Sequence, residues 1–146
     1  MMEGLAQAEA TVLGCAGSAT WALPEQDLIA ALDAAHRIEQ RLAAVKLTVI
    51  RELDGRGTPT AQGASSTAVW LRERLHLTVP AARRLVELAA TLDTGNPAIR
   101  QALADADITV DQARIIADTV DTVQTSAGTA AADKAVGLLV EWAGQF

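Results

Sequence analysis

Apolar residues first settle into a regular period at Leu28. Leu28, Leu32, Ala35, Ile38, Leu42, Val45, Val49 and Leu53 recur at spacings of three and four, one continuous stripe along an α-helix. Pro24, Glu25 and Asp27 open that helix, because proline is tolerated in a first turn and carboxylates there complement the dipole. Gly55 and Gly57 close it. The pattern therefore predicts a helix over residues 24–54, about 45 Å long at a rise of about 1.5 Å per residue. A stripe of this length has to be covered, either by the rest of the chain or by a partner helix in coiled-coil fashion. Arg37, Arg41, Lys46 and Arg51 fall off the stripe and are expected to form a solvated face.

Before this helix, residues 1–23 are small and apolar and read as a flexible lead-in with a short helix near 3–12. After it, residues 55–66 read as a loop, from their glycine, proline and hydroxyl content. Ser65 or Ser66 then caps a short helix reaching about Leu75, with Val69, Trp70 and Leu71 facing inward. Thr78 caps the next helix, whose buried face is Leu85, Leu88, Ala89 and Leu92, and Thr94-Gly95-Asn96-Pro97 breaks it. The pattern then repeats. Leu77-Thr78-Val79-Pro80-Ala81-Ala82-Arg83 matches Ile108-Thr109-Val110-Asp111-Gln112-Ala113-Arg114 at an offset of 31 residues, and Thr109 with Gln112 has the spacing of a capping box. The hairpins are placed at 65–93 and 97–124. A loose Thr125-Ser126-Ala127-Gly128-Thr129 connector and a last helix over 130–143 follow, the latter with Val136, Leu139, Val140 and Trp142 on its apolar side. The expected fold is all-α. One long amphipathic helix precedes two tandem helix–turn–helix hairpins and a C-terminal helix, together a single domain over 24–146.

Composition agrees with this reading. The chain has 146 residues, enough for one ordinary domain, and half of them are apolar while only 3% are aromatic. Aliphatic side chains must build the core, with Trp21, Trp70 and Trp142 expected as its few large fillers. The net charge of −6 argues against a general nucleic-acid glue. That charge is unevenly spread: residues 37–100 carry ten of the twelve basic residues against six acidic ones, a local +4. Any contact with phosphate belongs there. The single cysteine, Cys15, excludes an internal disulfide and fits a reducing compartment. Val12-Leu13-Gly14-Cys15 resembles a lipoprotein cleavage site, but no basic residue precedes it, and Glu3, Gln7 and Glu9 interrupt the apolar run. No membrane span is expected, and a cytoplasmic location is the default.

Candidate chemistry is sparse. His36 lies in the long helix and His76 in a turn, neither within a metal-binding motif, and His76 with Glu73 would give only two ligands. Ser65 and Ser66 lack a nucleophile elbow and a base. Gly55-Arg56-Gly57 is too short to cradle phosphate. Asp105, Asp107 and Asp111 cluster at one turn without the ligand ladder of a calcium loop. No catalytic residue, metal site, cofactor or small-molecule ligand is expected.

Two segments carry a resemblance. Ser66-Thr67-Ala68-Val69-Trp70-Leu71-Arg72 leads into Leu77-Thr78-Val79-Pro80-Ala81-Ala82-Arg83-Arg84-Leu85, and Ala102-Leu103 leads into Ile108-Thr109-Val110-Asp111-Gln112-Ala113-Arg114. With the long preceding helix, over roughly residues 25–125, they resemble the actinobacterial family called "domain of unknown function 222". That domain is the N-terminal part of the mycobacterial 13E12 repeat proteins, many of which end in an HNH-type nuclease domain. The resemblance implies packing and capping positions but no active site. Where the family usually has glycine in the second turn, this chain has Asp107. The chain contains no nuclease half, so it looks like a shortened or interrupted member. Two partners follow as expectations. A helix–turn–helix reader would use its second helix on DNA, but Val79-Pro80-Ala81-Ala82 offers almost nothing for base readout. Arg72, Arg74, Arg83 and Arg84 are instead placed to grip the phosphate backbone. The alternative is self-association, or docking of another helical protein, through Leu28, Leu32, Ile38, Leu42, Val45, Val49 and Leu53. The third expectation is an inactive remnant of a truncated gene.

Overall fold

A computed structural model describes residues 1–145. Among them are eight α-helices and no strand, so the fold is all-α. By its internal contacts the chain divides into two compact units, Met1–His36 and the residues from Arg37 onward.

The first unit holds α1 (Met2–Ala16), a 3-10 turn (Thr20–Ala22) and the opening turns of α2 (Glu25–Gly55). None of its residues is buried. The short helix expected near 3–12 extends to Ala16 and carries Gly14 within it. Trp21, expected in the core, is 89% exposed.

The second unit holds the rest of α2, then α3 (Thr58–Ala61), α4 (Thr67–Leu75), α5 (Val79–Thr94), α6 (Pro97–Asp105), α7 (Val110–Ala127) and α8 (Thr129–Ala143). Residues 55–66 are not all loop. Gly57 adopts a left-handed conformation (φ +66°) that α3 follows, and the first-turn Pro59 of α3 is buried. Caps fix where the larger helices begin. The Ser66 hydroxyl accepts from the Val69 N–H at 3.2 Å, and Thr78 accepts from Ala81 at 3.3 Å. Asn96 accepts from Ala98 at 2.9 Å, and Thr109 with Gln112 forms a complete capping box.

The tandem repeat is visible in these caps. Helices α4 and α6 have nine residues each, and each is closed by a left-handed residue, His76 (φ +54°) and Ala106 (φ +64°). The first turn is His76-Leu77-Thr78; the second is Ala106-Asp107-Ile108-Thr109, one residue longer, with Asp107 the extra one. The left-handed position in the second turn is therefore Ala106, not Asp107. That turn is fully closed: the Ala106 N–H donates to the Leu103 carbonyl at 3.1 Å and the Asp107 N–H to the Ala102 carbonyl at 2.9 Å.

The core of this unit is aliphatic. Leu47 and Ile50 from α2 join Leu71, Leu88, Leu92, Ile99, Leu103, Ile108, Ile116 and Val136 in one buried cluster. Each such side chain contributes about 1.5–3 kcal/mol when taken out of water. Trp70 only half-enters it, and Trp142 is exposed. The expected connector at 125–129 is mostly helix. Residues that read as loop formers continue α7 instead, and Thr125 and Ser126 turn their hydroxyls back onto the Asp121 and Thr122 carbonyls, both at 2.9 Å. Gly128, at φ +86° and ψ 172°, makes the sharp junction to α8.

Candidate functional site

Helix α2 is apolar on two sides. Successive residues turn by about 100°, so Leu42 and Leu47, five apart, point about 140° away from each other. The second unit buries Gln40, Leu47 and Ile50. The stripe read from the sequence lies mostly on the other side: Leu28, Leu32, Ile38, Leu42 and Val45 are exposed, from 36% at Val45 to 70% at Leu32. Only its last members, Val49 and Leu53, are half-buried. Of the two ways of covering the stripe, burial by the rest of the chain therefore reaches only its last two members. The covered side is a second apolar face of α2, on which Leu47 and Ile50 enter the core with Ala44 packed against it.

Polar bonds fix this register. The buried Gln40 carbonyl oxygen accepts from the Val110 N–H at 2.9 Å, satisfying one of the otherwise free donors at the start of α7. Gln112 of the adjoining capping box donates to the Ala143 carbonyl at 3.2 Å, so α2, α7 and α8 share one small network. Farther along, the Arg51 Nε meets Asp93 of α5 at 2.8 Å and its Nη1 meets Asp54 at 3.3 Å, while Asp54 also accepts from Thr67 of α4. The hydrogen bond to Asp93 holds the Arg51 guanidinium above its ordinary pKa. Arg41 reaches the Asp105 carbonyl at 3.4 Å. Arg51 is therefore a tertiary contact and not a member of a solvated face, whereas Arg41 stays exposed as it reaches across. Neither Gln40 nor the Arg51–Asp93 pair stands out in the sequence, where a polar residue beside an apolar stripe looks like surface.

The four arginines singled out for phosphate contact sit on the α4–α5 hairpin. Arg72 pairs with the adjacent Glu73 at 3.0 Å, and Arg74 stacks over the Trp70 ring at 4.8 Å from its centroid. Arg84 donates to the Pro80 carbonyl of its own helix at 3.3 Å, while Arg83 is exposed with no hydrogen-bond or ion-pair partner among the described residues. Three of the four are tethered locally. The Trp70 indole donates to Gln62 at 2.8 Å, which holds the ring under Arg74.

No three of the His, Cys, Asp and Glu side chains among the described residues are grouped to hold a metal ion. In the acidic turn, Asp105 accepts from Gln101 at 2.9 Å and Asp111 pairs with Arg114 at 3.3 Å. A groove of about 330 Å³ opens between α2, α5 and α6, with Arg41, Arg51 and Arg100 on its rim and Leu47, Leu92 and Leu103 on its floor. Among the described residues no helix is long and apolar enough to cross a membrane.

A sequence model of the family described as "Domain of unknown function (DUF222)" matches residues 29–146. The chain belongs to that family. The DUF222 match begins one turn into α2, just after Leu28, and takes in both hairpins and all of α8, so nearly all of the two-faced helix and the tandem caps lie inside it and α1 lies outside. Comparisons with curated proteins and with solved structures found no match.

Proposed function

We propose that this DUF222 domain is a non-catalytic association module whose working surface is the exposed apolar side of α2. The observation that carries the reading is the exposure of Leu28, Leu32, Ile38, Leu42 and Val45 on a helix already docked by its other side. Scattered exposed leucines are ordinary; a regular line of them along one helix is the signature of a surface that another helix covers. The site inventory supports a non-catalytic role: the histidines stand apart in sequence, and the carboxylates of the acidic turn are partly engaged in local bonds. The test is cross-linking of the chain in extract of the cells that encode it. Products present with the native chain and lost with Ile38→Asp and Leu42→Asp support the reading. Identical products from native and variant chains contradict it.

A second reading, weak contact with the DNA backbone, is favoured by one feature. Arg74 lies over the Trp70 ring and Arg83 is unpaired among the described residues, so the α4–α5 hairpin presents cationic groups of which one is already ordered. In the DUF222 proteins that carry an HNH-type nuclease, such a contact would place the nuclease on its substrate without reading sequence. Duplex DNA retardation that weakens as salt rises, and falls when Arg74 and Arg83 become Ala, supports it. No retardation at low salt removes it.

A further inference from the structure

The spacing of the exposed line on α2 is more specific than a hydrophobic patch. Leu28, Ala31, Ala35, Ile38, Leu42 and Val45 fall at alternating steps of three and four, the core positions of a coiled-coil seam. The charges beside the seam are divided along the helix. Residues 25–36 hold Glu25, Asp27 and Asp33 with no basic residue, whereas residues 37–46 hold Arg37, Arg41 and Lys46 against Glu39 alone.

We propose that the seam of α2 binds the same seam of a second copy of this chain, antiparallel, about a two-fold axis near residues 36 and 37. The inference rests on the association reading above and names its partner. In that register Leu28 lies opposite Val45, Ala31 opposite Leu42 and Ala35 opposite Ile38, and symmetry repeats all three layers. In two of the three layers a small side chain faces a large one, so the helices approach closely without voids. Along the flanks Glu25 meets Lys46 at both ends, Arg41 meets Ala34, Asp27 meets Thr48 and Glu39 meets Leu32, so no like charges oppose one another. A parallel pair would set Arg41 beside Lys46 and the acidic first turns beside each other. Charge therefore selects the antiparallel arrangement. The exposed side chains of Leu28, Leu32, Ile38, Leu42 and Val45 leave roughly 500 Å² of apolar surface per copy, near the top of what a monomer's largest patch shows. Two copies together bury at most about 1,000 Å², the lower limit for a specific interface, which places the dimer among weak, reversible ones.

Sedimentation equilibrium of the full chain across micromolar concentrations is expected to give a monomer–dimer equilibrium. Leu42→Asp, at an exposed position, shifts it to monomer with an unchanged urea midpoint at monomeric concentrations. Lys46→Glu weakens dimerisation by about tenfold, and adding Glu25→Lys restores it. Orientation is read by oxidation in a Cys15→Ser background. A mixture of Leu28→Cys and Val45→Cys chains forms the mixed disulfide, and Leu28→Cys alone does not, because its two copies lie about 26 Å apart at the rise of a helix. Self-linking of Leu28→Cys, or a failed charge reversal, overturns the antiparallel pair while leaving association through α2 in place. A monomer at every concentration overturns self-pairing, and the extract cross-linking then decides whether the association reading survives.

Discussion

Replacing Gln40 by Leu isolates one bond between α2 and the rest of the second unit. Gln40 is 7% exposed, and its side-chain oxygen accepts the Val110 N–H at 2.9 Å. Leucine has nearly the same volume, so packing is kept while the acceptor disappears. The Val110 N–H is then stranded at the start of α7, because the neighbouring cap bonds are internal: Thr109 Oγ1 serves the Gln112 N–H and the Gln112 side chain serves the Thr109 N–H. A stranded donor of this kind costs about 1–3 kcal/mol. At about 2–4 °C per kcal/mol for a chain of this size, a loss near 2 kcal/mol lowers the melting temperature by about 4–8 °C. Urea unfolding followed by far-UV circular dichroism reads it, with the slope unchanged and the midpoint lowered. Glu39→Ala, one residue away and exposed, serves as the control and is expected to stay within about 0.5 kcal/mol. A Gln40→Leu chain as stable as the native one would mean that this bond does not hold α2 in its register.

Two further substitutions test the turns. Ala106 occupies a left-handed conformation that glycine adopts without penalty, so Ala106→Gly is expected to raise stability by about 0.5–1 kcal/mol, measured in the same urea titration. Gly128 has a backbone conformation that side chains rarely adopt, and Gly128→Ala is expected to lower stability by about 1–3 kcal/mol although nothing crowds its Cβ position.

Most of the helical plan is written in local signals. Pro24, Ser66, Thr78 and the Thr109–Gln112 pair mark helix starts by chemistry that acts within four residues, and the structure uses each of them. The signals that mislead are also local. Thr125 and Ser126 carry side chains that favour turns, yet here they lie within α7, their hydroxyls bonded back to the carbonyls one turn earlier. Trp21 and Trp142 look like core by size, but no aliphatic surface encloses them. The choice of face on α2 is not local at all. The longer apolar repeat of α2 marks the Leu28–Val45 line, whereas burial goes to Gln40, Leu47 and Ile50 because the Val110 N–H and the packed surface of the hairpins meet it there. A period identifies a helix; which of two apolar lines is covered depends on what the distant partner offers.

Thiol reactivity along α2 tests that two-sided arrangement most directly. In a Cys15→Ser chain, single cysteines replacing Leu42 or Leu47 are exposed to a maleimide over a range of protein concentrations. The thiol at position 47 should react slowly at every dilution. The thiol at position 42 should react quickly in dilute solution and become shielded as concentration rises. Equal rates at the two positions, or a position 42 that stays shielded on dilution, would contradict the account.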